Sequence, residues 1–487
     1  MSLDIGKGLL STMSDAKSIA KNVASLYVGE ILSQILTFFL VVSIARYFGD
    51  VGLGKYSFTF SFVAFFLIFA DMGLPILLTK EVAKNRQLTR DYMTKTFTLK
   101  VILNIIAFSI TILAILISRR DYETILLVIL AAIAMFFYNL AGMYRAIFQA
   151  YELMKYESYS RIVERLLASS VAILLIYRGY GILSLFIVLI LSNVVYYLLL
   201  HVLITLKISK ISLTVDVNLW KQNLMASMPF WITNVFLSIY FRIDTIMLGF
   251  MKDFAATGWY NAAVKIVEVL TRIPFLLINA VFPTLAKFHK LSYPKTKLLY
   301  EKSFYYMLIV ALPITTGLIM LTERIILNVY SPDFRNSIIA LQILAASLIF
   351  VFVNYLMGYL LNAIDKQRLF TLTAGVTTAF NVILNIILIP KYSYIGAAAA
   401  TLASEVLNFG MLYYFTSKNK FNINLLRFLI KPIIANLAMI VLIIYFRNLH
   451  LILLIALSGI AYFFVLLIIR GFGKDEINIV KSFISTK

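Results

Sequence analysis

Apolar stretches of about 20 or more residues recur along the chain almost without pause, separated by short segments carrying Lys, Asn and Gly. A hydrocarbon layer of about 30 Å takes about 20 residues of helix. The pattern therefore predicts membrane-spanning helices near 21–47, 56–79, 96–118, 122–149, 158–178, 180–206, 223–250, 255–283, 303–322, 336–362, 369–389, 393–417, 428–446 and 449–469. The expected fold class is an all-α membrane protein of about fourteen transmembrane helices. Residues 1–20 mix charges with scattered apolar positions and lack an apolar core followed by a small-residue cleavage site. They are expected to form an uncleaved interfacial helix. No connecting segment exceeds about 20 residues, too few for a soluble domain of about 50 or more.

Composition agrees with that pattern. Of 487 residues, 61% are hydrophobic and 14% charged, against roughly 45–50% and about 25% in soluble domains. Cysteine is absent, which removes disulfides, thiolate catalysis and cysteine-ligated metal centres. Lys and Arg are unevenly distributed. The N-terminus, the segments near 80–95, 151–165, 207–221, 287–302, 365–368 and 418–431, and the C-terminus hold about three times as many as the seven segments between them, which places the richer set in the cytoplasm. Both termini are thus expected to be cytoplasmic, which requires an even number of spans. Cytoplasmic-face residues contacting anionic membrane lipids account for most of the net charge of +21, so no nucleic-acid partner is expected.

The chain also matches itself. Asp50, Gly54 and Tyr56, after the first predicted helix, resemble Asp253, Gly258 and Tyr260 after the seventh. Gln149-Ala150-Tyr151-Glu152 resembles Asn362-Ala363-Ile364-Asp365, and Gly181 with Asn193 recurs as Gly396 with Asn408. Matches in the same order argue for a six-helix unit repeated once, with both copies in one orientation. The expected organisation is an interfacial segment at 1–20, an N-lobe at 21–206, a cytoplasmic linker at 207–222, a C-lobe at 223–417, and two extra helices with a cytoplasmic tail at 418–487.

Gly49-Asp50-Val51-Gly52-Leu53-Gly54-Lys55 imitates a phosphate-binding loop, but Tyr56 stands where Ser or Thr is needed and the segment is a short external connection. It reads as a glycine turn. A membrane glycosyltransferase or polymerase is the alternative from the enzyme class. Against it, the chain has no Asp-x-Asp motif, and His201, His289 and His450 lie far apart at or near helix ends. No catalytic residue, resident cofactor or metal is assigned.

The remaining charges fall inside predicted spans. The basic ones are Lys100, Arg145, Arg242, Lys265 and Arg272; the acidic ones are Glu30, Asp71, Glu164, Asp244, Glu268 and Glu405. Facing lipid at mid-depth, each would cost about 2.5–3.5 kcal/mol or more, so they face protein or a wet cavity. Asn261, Lys265, Glu268, Arg272 and Asn279 share one stripe of the eighth predicted helix, and Asn234, Ser238 and Arg242 share one of the seventh. Counted from the external ends, Arg242 and Lys265 lie at similar depth, as if facing one space. A cavity with several fixed cations suits an anion of more than one charge, because Arg and Lys neutralise phosphate oxygens by charge-assisted hydrogen bonds. Arg145, Arg242, Lys265, Arg272 and Asn261 are the substrate-binding candidates. Glu30, Asp71, Asp244 and Glu268 are the candidates for coupling to H⁺ or Na⁺. Prolines at 75, 229, 274, 283, 313, 390 and 432, in or beside helices, permit bends.

Three segments resemble the polysaccharide-transporter branch of the MOP flippase superfamily. They are Ala45-Arg46-Tyr47-Phe48-Gly49 with Gly54-Lys55-Tyr56, Phe69-Ala70-Asp71-Met72-Gly73-Leu74 with Lys80-Glu81, and Arg242-Ile243-Asp244-Thr245-Ile246-Met247-Leu248-Gly249 with Gly258-Trp259-Tyr260. The resemblance implies two six-helix bundles around a central cavity. It also implies alternating access that carries a polyprenyl-(pyro)phosphate-linked oligosaccharide from the cytoplasmic to the outer leaflet of the cell membrane, without ATP hydrolysis. Lipid-linked oligosaccharide is then the substrate, glycan-assembly enzymes are expected partners, and a monomer is the expected state. A cation-coupled multidrug extruder is the alternative within the superfamily, although a site for organic cations should be net acidic and the charges above are as basic as acidic.

Overall fold

A computed structural model describes residues 2–209 and 212–471, with side chains from Gly29 onward except those of Leu88 and Phe230. The side chains of the expected interfacial segment 1–20, and the tail beyond Gly471, lie outside the described residues. Among the described residues there is no strand. The helices are α1 (Ser2–Asp71), α2 (Leu74–Lys84), α3 (Thr89–Ile117), α4 (Tyr122–Ala150), α5 (Met154–Tyr177), α6 (Ile182–Lys207) and α7 (Val217–Met251). They continue as α8 (Phe254–Leu270), α9 (Arg272–Leu291), α10 (Tyr293–Val329), α11 (Ser337–Ala363), α12 (Gln367–Lys418), α13 (Leu425–Tyr445) and α14 (Leu451–Ile468).

Eleven segments among the described residues are helical, long and apolar enough to cross a membrane. Two of them, α1 and α12, each supply two spans, because one residue in each reverses the chain. Gly49 (φ 68, ψ −165) breaks α1, in backbone space that glycine alone enters without strain. Ser393 (φ 52, ψ −134) breaks α12 three residues after Pro390, which has no N–H to continue the helix. Adding α5, which carries Arg161, Glu164 and Arg165 within the span expected at 158–178, gives the fourteen spans of an all-α membrane protein. The connections expected at 48–55 and 287–302 are far shorter than the sequence suggested. Helix surrounds Gly49, and only Ser292 separates α9 from α10, so charged residues expected in loops instead extend the helices.

The chain forms two compact units, one ending at Gly258 and the other beginning at Trp259. In the first, α2, α3, α4 and α6 bury Leu78, Phe97, Tyr144, Phe148 and Tyr196 in one core. Trp231 of α7 donates through Nε1 to the carbonyl of Ile68 at 2.9 Å, one turn before the bend at Met72 and Gly73 that separates α1 from α2. Asp216 caps α7: its carboxylate accepts from the Leu219 N–H at 3.0 Å and lies 3.1 Å from Lys95. The Leu219 amide, and after it Lys95, hold that carboxyl below the usual carboxylate range. In the second unit α10, α13 and α14 meet at Ile309, Leu321, Met439, Tyr462 and Leu466.

The absence of cysteine makes topology directly measurable. Single substitutions Lys84→Cys, Ser292→Cys and Lys418→Cys are expected to label with an impermeant maleimide only from the cytoplasm, and Asp121→Cys and Asp253→Cys only from outside. Mixed labelling would refute fourteen spans with both termini inside.

Candidate functional site

The most polar interior lies on α5. Glu157, Ser160, Arg161, Glu164 and Arg165 recur every three or four residues and so share one side of that helix. There α5 packs against α1. Arg161 pairs with Glu157 on its own helix and with Glu30 on α1, and Glu30 also accepts from Gln34 at 2.9 Å. Arg165 Nε stands 3.3 Å from Glu164. Glu157 Oε2 and Arg161 Nε are buried with no hydrogen-bond partner, so the network retains an acceptor and a donor.

Arg145 on α4 differs from these. Its Nη1 donates to the phenol of Tyr138 at 2.9 Å, one helix turn pair away, and its guanidinium lies 4.6 Å over the same ring. Tyr138 in turn stacks on Tyr196 of α6 at 6.0 Å between centroids. Among the described residues no carboxylate comes within 4.0 Å of Arg145; Glu157, whose charge reaches it through space, is held by Arg161. The first unit thus holds three arginines close together, two neutralised by carboxylates and one met only by a phenol.

A second ion pair lies beside this cluster. Lys100 of α3, fully buried, donates to Asp71 at 2.9 Å, where Asp71 ends α1 at the bend. Both Glu30 and Asp71, expected as coupling groups, therefore engage cations. Arg242 is half-buried and Asp244 buried on α7.

In the second unit, Asn261 is buried on α8, and Lys265 Nζ lies 2.7 Å from Glu268, with side chains 30% and 44% exposed. The expected continuous stripe through Arg272 is interrupted. α8 ends at Leu270, whose carbonyl would need an N–H from residue 274, and Pro274 has none. Arg272 therefore begins α9, with Tyr355 of α11 as a charge-sensitive neighbour. Asn354 of α11 donates to Glu405 of α12 at 2.8 Å, and Asn385 donates to Asn381 at 3.0 Å. These amides join helices or bond within one. Arg242 and Lys265, read as facing one space, fall in different compact units.

Arg161 and Arg165 were missed as site residues because 151–165 read as a cytoplasmic loop. Their signal was the spacing of charges at 157, 161, 164 and 165, which makes one helical stripe.

Because Lys265 and Glu268 are both partly open and form an i,i+3 pair, the pair adds about 0.5 kcal/mol or less. Lys265→Ala is expected to leave the melting temperature nearly unchanged and to reduce transport. Rescue of transport by adding Glu268→Gln would show instead that Lys265 only neutralises its neighbour.

The resemblance motifs also find physical roles in the first unit. A Cβ on Gly54 would overlap the carbonyl of Phe254, one on Gly258 the carbonyl of Asp50, and one on Gly249 the ring of Phe58. Lys55 pairs with Glu123 and lies 3.3 Å from Asp121. Arg120 donates to the Gly249 carbonyl, with the Phe250 ring 5.0 Å away. The glycine-rich segment around Gly54 is a close crossing of chain on chain.

Residues 19–289 match the profile of the polysaccharide biosynthesis protein family. The chain belongs to that family. That family is in keeping with the polysaccharide-transporter resemblance of the three sequence segments. A probable flippase of Haloferax volcanii, AglR, is 29% identical over 36% of this chain and 38% of its own length. A probable low-salt glycan biosynthesis flippase of the same organism, Agl15, is 22% identical over 80% of this chain and 82% of its own. An uncharacterised membrane protein of Methanocaldococcus jannaschii is 28% identical over 50% of this chain. The chain spans about half the length or less of the first and last of these three, 38% and 49%. Among solved structures, the lipid II flippase MurJ in an inward closed conformation superposes with a TM-score of 0.76 at 19% identity, covering 91% of this chain and 98% of MurJ. An inward-facing MATE multidrug transporter superposes with 0.63 at 13% identity, over 82% and 99%. The chain therefore shares the fold of MurJ over nearly its whole length.

Proposed function

We propose that this protein is a flippase that moves a polyprenyl-(pyro)phosphate-linked oligosaccharide from the cytoplasmic to the outer leaflet of the cell membrane by alternating access, without ATP hydrolysis. The observation that carries the reading is Arg145, a cation inside a membrane-spanning bundle with no carboxylate within 4.0 Å among the described residues. A charge in that position is expensive unless a ligand or water meets it. A phosphate group would meet it through the planar two-donor edge that a guanidinium offers. The half-buried Tyr138 beside it supplies a hydroxyl of the kind that sugars bond to. Family membership, and the similarity to two probable flippases, AglR and the glycan-biosynthesis flippase Agl15, support a glycan-bearing lipid as the cargo. A site for organic cations is disfavoured, because an uncompensated guanidinium would repel them.

On this reading Arg145, Arg242, Lys265, Arg272 and Asn261 contact the substrate in turn as access alternates. Glu30, Asp71, Asp244 and Glu268 are the groups that couple transport to H⁺ or Na⁺, the first two and the last by exchanging their cation partners. The termini lie in the cytoplasm, the working state is a monomer, and glycan-assembly enzymes deliver the cargo.

Depletion of the protein in its host tests the proposal. Lipid-linked oligosaccharide is expected to accumulate on the cytoplasmic leaflet while exported glycan falls, with recovery on re-expression of the wild type. Unchanged export together with loss of drug resistance would transfer the protein to the multidrug class.

A further inference from the structure

The two halves of α12 run side by side after the reversal at Ser393, and they approach so closely at Gly396 that a Cβ there would overlap the carbonyl of Leu388. Between them opens a groove of about 440 Å³, within the roughly 300–1,000 Å³ of ligand pockets. Leu372 and Val376 of the first half form one wall, and Leu407, Met411 and Tyr414 of the second form the other. Gly410 leaves the space open, since a Cβ there would meet nothing within 4 Å. Leu372, Val376 and Tyr414 are exposed, so the groove faces outward.

One end of this apolar groove is basic. Arg368 lies one helical turn from Leu372 on the stripe that continues to Val376, and Lys418 lies one turn from Tyr414 on the opposite wall. Both are exposed, and the Lys418 ammonium sits 5.9 Å over the Tyr414 ring. Lys366 and Lys420 flank them, against a single carboxylate in the same turns, Asp365.

We propose that this groove binds an anionic phospholipid of the surrounding bilayer, with one acyl chain between the halves of α12 and the phosphate between Arg368 and Lys418. The chemistry is complementary at both ends. An acyl chain covers apolar side chains that otherwise face bulk lipid across an irregular surface, and the two cations meet the headgroup at the depth where α12 begins and ends. A zwitterionic lipid would fill the groove equally well but gain little from the cations. The inference is independent of the cargo, because none of the residues proposed to contact substrate lines the groove.

The test uses full-length protein stripped of lipid in a neutral detergent and titrated with phosphatidylglycerol or phosphatidylcholine of identical chains, with melting temperature and native mass spectrometry as readouts. Each cation near a membrane surface attracts an anionic headgroup by about fivefold in affinity. The wild type is therefore expected to prefer phosphatidylglycerol by about thirtyfold. Arg368→Gln with Lys418→Gln, both surface changes, should abolish the preference while chain binding persists. Gly410→Phe should displace both lipids by filling the groove. Equal affinity for the two lipids in the wild type, or a preference that survives the double substitution, would overturn the proposal. Retention of both lipids by folded Gly410→Phe would do the same. Binding of undecaprenyl phosphate more than tenfold tighter than phosphatidylglycerol would reassign the groove to the carrier.

Discussion

Asp71→Ala is expected to destabilise the protein by about 3–5 kcal/mol, the usual cost of leaving a buried charge without its partner. Lys100 is 0% exposed, its ammonium bonds Asp71 at 2.9 Å, and Arg145 is a second positive charge in its neighbourhood. Removing the carboxylate, whose side chain is 37% exposed, leaves the buried Lys100 ammonium with Arg145 as a second positive charge nearby. The double variant Asp71→Ala with Lys100→Met should recover most of the loss, because an apolar chain of similar length suits the site once neither charge remains. Thermal unfolding in detergent, followed by tryptophan emission, measures both. A single variant as stable as the wild type would mean that water reaches Lys100 and that the pair is not a buried one. Transport separates structure from coupling: if Asp71 exchanges Lys100 for H⁺ or Na⁺ during the cycle, the stable double variant should lose dependence on the ion gradient.

Arg145→Ala carries the second large effect, and here activity rather than stability should fall. Losing a hydrogen bond to a charged group costs about 1.5–3 kcal/mol, which corresponds to about tenfold to a hundredfold weaker engagement of a phosphate. Stability should change little or rise, since the guanidinium has no carboxylate to strand within 4.0 Å among the described residues. Arg145→Lys keeps the charge but loses the planar fork and the stacking on Tyr138, so intermediate transport is expected. Tyr138→Phe removes the phenol that Arg145 bonds and should weaken transport less than Arg145→Ala does. Arg145→Ala with full transport, or with a large drop in melting temperature, would make this arginine a structural element instead.

The spans were legible because hydropathy reports what lipid requires, and lipid imposes that requirement on nearly every helix. Gly49 and Ser393 were harder to place: the sequence marks that the chain turns near them, but a one-residue reversal and a longer loop look alike when both flanks are apolar. Lys265 and Glu268 were legible as neighbours because their contact is local, three residues apart on one helix. The pairs Lys100 with Asp71 and Arg161 with Glu30 were not, since they form between helices and depend on how those helices pack. The charges of α5 misled for a definite reason. Charge density was read as exposure to cytoplasm, whereas α5 neutralises its charges against α1 and itself and so carries them inside the bundle.

Translocation by the purified protein tests the central claim most directly. Proteoliposomes containing a polyprenyl-pyrophosphate oligosaccharide and no nucleotide would be probed with an impermeant glycosidase after imposing a proton or sodium gradient, beside protein-free vesicles and vesicles holding Arg145→Ala. The account predicts that wild-type protein brings inner-leaflet oligosaccharide to the enzyme well above the protein-free rate and that Arg145→Ala does so about tenfold to a hundredfold more slowly. A wild-type rate equal to that of protein-free vesicles under both gradients would contradict it.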